Sequence, residues 1–252
     1  MPLHETESIV LKSYNLAEAD RIVVFFTRGF GVVRGVAKGA RRIKSKFGSS
    51  LEPFSQVSIE YFQKDDRELV SIQRAEILRS AFSSAADPEL LTTYSQLADL
   101  LLAFAPPHDP NETMYRMFKA SLDAKVTEQP DHTALILYFK IWLLRLGGYL
   151  PDWANCSSCR RAFSRTETAA LTSGFQLLCG SCLRTGGGDT ISPLHRTVFH
   201  NVQKLSPAGF IAGSRDDHEA VREVDRMVER IVAAATGREF RGSTAVQVTI
   251  YR

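Results

Sequence analysis

The four cysteines of this 252-residue chain fall into two pairs, Cys156-Ser-Ser-Cys159 and Cys179-Gly-Ser-Cys182. A CxxC turn brings two thiolates close enough to share one ion, and two such turns complete a tetrahedron with Zn–S distances of about 2.3 Å. One structural Zn2+ held by Cys156, Cys159, Cys179 and Cys182 is expected, with Gly180 permitting the tight second turn; disulfides are the competing reading. Four sulfurs fill the coordination shell and leave no position for a water nucleophile, which argues against a catalytic ion. The segment between the pairs, ending Gly174-Phe-Gln-Leu-Leu178, reads as a β-ribbon too small to hold a core without its metal.

A second chemical signal lies in residues 27–51. Arg28, Arg34, Lys38, Arg41, Arg42, Lys44 and Lys46 occur there with no Asp or Glu between the ends. The whole chain carries only +3, so without these seven charges the rest is net negative. The basicity is local. Gly29, Gly31, Gly35, Gly39 and Gly48 lie among the cations, so a flexible backbone able to turn closely around a partner is expected. Such a loop suits a polyanion, the commonest being a nucleic-acid phosphate backbone; a solvated, mobile surface loop is the plain alternative.

Catalytic signatures are missing. The adjacent carboxylates Asp65-Asp66 and Asp216-Asp217 fall in turns, where neighbouring side chains point apart, and read as exposed turn residues. GxSxG, HExxH and P-loop motifs are absent, and Gly29-x-Gly31 lacks the third glycine of a dinucleotide fingerprint. His195 and His200 are surface or packing residues, because four cysteines already complete a metal set. Met and aromatic side chains at helical spacing, such as Phe139 and Trp142, are read as core.

The elements that must position these residues divide by period. Short β-branched runs at 8–14, 21–27, 30–37, 54–62 and 68–73 read as five strands, with Lys64-Asp65-Asp66 as a turn. Five strands without an intervening helical pattern suggest a small barrel, for which an OB-fold is the natural candidate. The basic stretch begins on the third strand and runs into the loop after it, beside the face that takes single strands in that fold. From about Glu76 the period becomes helical: one helix from Pro88 with Tyr94, Leu97, Ala98 and Leu101 inward, and another capped by Asn111. The run 133–146, apolar nearly all round, is a central helix ended by Gly147-Gly148. Residues 185–188 form a flexible exit, Ser192-Pro193 opens a helix to Lys204, and 216–235 is amphipathic. The tail at 245–251 alternates like a strand. The expected class is α+β multidomain: an OB-fold barrel at 1–78 and a helical domain at 79–252, with a four-cysteine zinc ribbon inserted at about 152–188.

The opening lacks a signal-peptide pattern, and the longest apolar run, Leu100 to Ala105, is far too short to span a membrane. A reducing cytoplasm is the expected compartment, where thiols bind metal more readily than they pair.

Taken together, several stretches resemble the bacterial RecO family of recombination mediators. They are the opening SIVLKSY, Glu18-Ala-Asp20-Arg21, Val36-Ala-Lys-Gly-Ala-Arg-Arg42 followed by Lys44-Ser45, Leu51-Glu-Pro-Phe54, Leu146-Gly-Gly-Tyr149-Leu-Pro151 and the two CxxC pairs. The family pattern commonly has proline where this chain has Ile43, so a less stiff loop is expected here. The resemblance implies a non-enzymatic protein of the nucleoid that binds single- and double-stranded DNA and anneals strands coated by single-strand-binding protein. With RecR it would help load RecA. Carried over by position, Arg34, Lys38, Arg41, Arg42, Lys44 and Lys46 would contact phosphates, with Phe30 or Phe47 as a stacking surface or an ordinary barrel residue. A zinc-ribbon adaptor binding nucleic acid in transcription or translation is the alternative function.

Overall fold

The structure is a computed structural model and describes residues 2–63, 68–81, 86–183 and 188–237. The Asp65-Asp66 pair, most of the glycine-rich exit and the tail at 245–251 lie outside the described residues. The chain forms two compact units, Met1–Leu122 and Asp123–Arg252.

The first unit is built on a closed barrel of β1 (Leu3–Leu16), β2 (Asp20–Thr27), β3 (Gly31–Ala37), β4 (Gln56–Phe62) and β5 (Val70–Arg79), in the order β1-β2-β3-β5-β4. All pairings are antiparallel except β3 with β5. This is the expected OB arrangement. Two strands outrun the sequence reading. β1 is fourteen residues long because its polar first half pairs with β4 while its second half pairs with β2. A bulge between Val10 and Lys12 marks the crossover. β5 continues through Glu76–Arg79, where the helical period was expected, because those residues pair with Gln56–Ser58 although their side chains are exposed.

Alternation sets the core: Val57, Ile59 and Tyr61 of β4 point inward with Val10, Val23, Phe25, Val33 and Ile72. Gly35 is fixed by close approach, since a Cβ there would stand 2.4 Å from Ile72 Cδ1. The same unit holds α1 (Pro88–Phe104) and α2 (Glu112–Leu122), capped by Asp87 and by Asn111, whose side chains accept from Leu90 N and Met114 N. Phe26 meets Tyr115 and Phe118 of α2, and Phe54 meets Tyr94 of α1. The Tyr94 hydroxyl donates to the Leu122 carbonyl.

In the second unit α3 (Gln129–Leu146) is the central helix, packed by α4 (Pro193–Lys204), α5 (Pro207–Gly213) and α6 (His218–Thr236). Ser192 and His195 form a capping box at the start of α4, and α6 buries Val221, Val224, Met227, Val228 and Ile231 as its periodicity predicts. The seven-residue α5 escapes sequence reading because it is too short to show a period; its signal is the Ser206-Pro207 start, with Ser206 accepting from Gly209 N. Inserted between α3 and α4 is a three-stranded sheet of β6 (Ala169–Leu171), β7 (Leu177–Cys179) and β8 (Asp189–Ile191), in the order β7-β6-β8. No helix among the described residues is long and apolar enough to cross a membrane.

Candidate nucleic-acid interface and metal centre

The basic stretch occupies the end of β3 and the loop to β4, and the structure corrects the expected flexibility. The loop is a chain of tight turns tied down at both ends. At its start Gly39 N donates to Asp20 Oδ1 (2.8 Å) and Arg41 N to the Ala19 carbonyl (2.9 Å), so the β1–β2 turn grips it. Further on, Phe47 and Leu51 drop into the barrel core. Ser50 Oγ closes onto the Phe47 carbonyl (2.6 Å), and Phe54 N pairs with the Val10 carbonyl (2.7 Å). Glycine serves the turn at Gly39, where φ is +69°, rather than loosening the whole segment.

Arg34, Lys38, Arg41, Arg42, Lys44 and Lys46 are all exposed. Arg34 lies 3.7 Å from Glu68, a distant exposed pair that leaves its charge largely uncompensated. Arg41 Nη1 donates to the neutral carbonyl of Ala17 (2.9 Å), which orients the guanidinium without cancelling it, and Lys46 lies over the Phe47 ring. Lys38, Arg42 and Lys44 have no carboxylate partner among the described residues. Arg28 belongs elsewhere: it pairs with Glu112 and Glu7, and its guanidinium holds the Glu112 carboxyl below the usual range.

The two aromatic candidates part from the stacking role. Phe47 is 3% exposed and seals the barrel, so it presents no face to a base. Phe30 packs against the core with His4 and Tyr61 around its ring. The apolar side chain that does reach solvent is Ile43, fully exposed between Arg42 and Lys44. Phe47 and Phe30 thus take the barrel role that the sequence offered beside stacking, while the anchoring role of Leu51 was missed; its signal is a second large apolar residue four positions after Phe47 within a polar run.

The four cysteines converge. Their Sγ atoms all lie within 4.8 Å of one another, none in a disulfide, with Cys156 and Cys179 buried. The Cys159–Cys179 sulfur separation is 3.9 Å, against an edge of about 3.8 Å for a tetrahedron with 2.3 Å metal–sulfur bonds. Cys179 N donates to Cys156 Sγ (3.4 Å). Burial opposes a thiolate at Cys156, but backbone N–H donors from Cys159, Cys179 and Ser158 outweigh it and bring the thiol down to about 6. Cysteine, a donor set arranged for thiolates and a near-tetrahedral edge fit a closed metal site. The expected role of Gly180 does not hold: its φ is not positive and a Cβ there would meet nothing within 4 Å. The left-handed turn residue is Arg160, after the first pair, with φ +60°.

The remaining candidates are structural. His195 is buried, receives Ser192 N at Nδ1 and meets Glu223 through Nε2 at 2.6 Å, while His200 is exposed. Asp216 and Asp217 stand in the turn before α6.

With this geometry established, the family assignment follows from two matches that together cover nearly the whole chain. Residues 1–81 match the model described as Recombination protein O N terminal, and residues 85–244 match Recombination protein O C terminal. The chain belongs to the Recombination protein O family. It is similar to proteins named DNA repair protein RecO from several bacteria. The match to that of Koribacter versatilis is 34% identical and covers 62% of this chain and 64% of the relative, just under two thirds of its length. That of Thermodesulfovibrio yellowstonii is 34% identical over 71% of this chain and 70% of its own, and that of Rubrobacter xylanophilus is 29% identical over 94% of each.

Proposed function

We propose that this chain is a non-enzymatic recombination mediator in DNA repair, which binds single- and double-stranded DNA through the β3–β4 loop and anneals complementary strands. The observation that carries this reading is the loop itself: six exposed cations on a backbone pinned by Asp20, Phe47 and Leu51. A fixed array of charges pays little ordering entropy on meeting a phosphate chain. Two strands repel each other, and a positive surface lowers that repulsion without choosing a sequence. Arg34, Lys38, Arg41, Arg42, Lys44 and Lys46 are the phosphate contacts in this proposal. One Zn2+ held by Cys156, Cys159, Cys179 and Cys182 would supply structural cross-linking alone, since all four positions are sulfur. Single-strand-binding protein and RecR are the proposed protein partners, with RecA loading as the downstream step.

The test is annealing of two complementary strands carrying a fluorophore and a quencher, bare and coated with single-strand-binding protein. The chain should accelerate both reactions over the spontaneous rate. No acceleration of either would overturn the reading.

A further inference from the structure

The loop between β3 and β4 carries an apolar side chain that nothing among the described residues covers. Ala40 and Phe47 pack on the barrel core, so the loop projects only between them. Within that span Ser45 N donates to the Arg42 carbonyl (2.9 Å), closing a turn with Ile43 and Lys44 at its central positions. Arg42 N donates to the Gly39 carbonyl (3.1 Å), so two successive turns share Arg42. Ile43 is 105% exposed, as open to water as an isolated residue. Arg42 and Lys44 on either side of it are exposed, with no carboxylate partner among the described residues.

Single apolar residues at a surface are ordinary. Ile43 departs from that background, since the next most exposed large apolar side chain among the described residues, Leu78, is 54% exposed. Turn corners favour Gly, Pro, Asn, Asp and Ser, so an isoleucine there answers no demand of the backbone. Its branched side chain holds few rotamers and stands on a pinned turn as a short, stiff, convex apolar body. Such a body has no pocket of its own and must enter a gap in its partner. Cations on both sides of it call for a gap that lies among anions. The space between two adjacent bases of a strand meets both demands, being apolar and set beside phosphates.

The geometry points to Ile43 as a wedge: with Arg42 and Lys44 on the phosphates of a single strand, it enters one base step and unstacks it. The inference rests on the mediator reading and deepens it. Stacked and self-paired bases resist pairing with a second strand, and opening a step whose phosphates are already held leaves base edges free. Aliphatic side chains of basic DNA-binding proteins open duplex steps in this way, and a single strand has no pairing to break. An acidic peptide fits less well, because it would itself have to supply the pocket, and a short extended segment presents no cavity.

The test uses a single strand carrying one 2-aminopurine between adenines, whose fluorescence is quenched while stacked and rises when the step opens. Read at saturating protein, so that affinity does not enter, the wild-type chain should raise the fluorescence of the bound strand. Ile43→Ser keeps all six exposed cations and should bind the strand while losing that rise; Ile43→Leu should retain it. Leu78→Ser, which removes an exposed apolar side chain outside the loop, should retain it too. The Ile43 side chain is uncovered, so neither variant there should disturb the fold, which urea unfolding checks. A rise of wild-type size in Ile43→Ser, or a wild-type chain that binds with no rise, would overturn the wedge and leave the mediator reading standing. Slower annealing by Ile43→Ser confined to strands coated with single-strand-binding protein, with the rise intact, would overturn it in favour of a protein pocket. Failure of the wild-type chain to bind the single strand at all would overturn the mediator reading with it.

Discussion

Replacing Arg41, Arg42 and Lys44 together with alanine tests the loop through its salt dependence. All three side chains are exposed, and the one hydrogen bond lost is from Arg41 Nη1 to the Ala17 carbonyl; the backbone ties at Gly39, Arg41 N, Phe47 and Leu51 remain. The far-UV circular dichroism should therefore be unchanged. Of the six proposed contacts Arg34 alone has a carboxylate within salt-bridge distance among the described residues, Glu68 at 3.7 Å, so a lower bound on the slope is taken from Lys38, Arg41, Arg42, Lys44 and Lys46. If each of the five neutralises one phosphate, log K falls against log salt with a slope of about −3.5 for a single strand. The wild-type affinity then drops about 130-fold between 50 and 200 mM salt. Removing three contacts brings the slope to about −1.4, a drop of about sevenfold over the same interval. Fluorescence anisotropy of a labelled oligothymidine at four or five salt concentrations gives both slopes. A variant slope equal to the wild-type slope would show that other cations hold the strand, and the loop assignment would fail whatever the affinities.

The other expectations concern stability and metal. Phe47→Ala should destabilise the barrel by about 3–5 kcal/mol in urea unfolding, whereas Ile43→Ala should not; equal effects would mean that the loop is not plugged into the core. Lys140 is buried between Asp225 and Glu229, so Lys140→Ala, which strands two carboxylates, should cost about 3–5 kcal/mol, and a neutral result would remove it from the α3–α6 core. Burial works against the Asp131 carboxylate, but Arg215 and Thr127 overcome it and lower its pKa in the fold. Its stabilisation is complete above the unfolded value of about 3.9 and is lost as pH falls through the lowered one. Asp131→Asn should therefore differ most from wild type at neutral pH and converge with it in acid; a constant difference would count against the linkage. Metal analysis should find one ion per chain, and Co2+ exchange should give thiolate charge-transfer bands that weaken in Cys156→Ser, which leaves three thiolates, and vanish when all four cysteines are replaced by serine. Bands that survive that change would mean that the cysteines are not the ligands.

Much of this architecture is legible in the chain because local pattern and tertiary burial agree. The alternation of Val57, Ile59 and Tyr61 and the 3.6 period of Val221, Val224, Val228 and Ile231 each give one buried face. The cysteine spacing is equally direct, since two turns closed by sulfur need no distant partner to be recognised. Failures occur where pairing, not side-chain pattern, decides. Leu3–Glu7 and Glu76–Arg79 are strands because a neighbouring strand satisfies their backbone, while their side chains, polar or apolar, bury no regular face that would record it.

The basic loop shows how composition can mislead about anchoring. Five glycines among seven cations suggest a mobile tether, yet the segment is held at Asp20, Phe47 and Leu51, and the position expected to be loosened by the loss of proline, Ile43, lies between those anchors. Loop entropy depends on the length left free between fixed points rather than on how many permissive residues it contains. With Arg41 N tied to Ala19 and Phe47 N to Ser45 Oγ, the free span is about one turn on either side of Ile43. Cations presented on so short a span keep their mutual spacing, and a strand meeting them is held at several phosphates at once. Cutting the Asp20 tie with Asp20→Ala should then weaken single-strand binding while leaving every cation in place. Unchanged affinity would mean that charge alone, and not its fixed presentation, does the work.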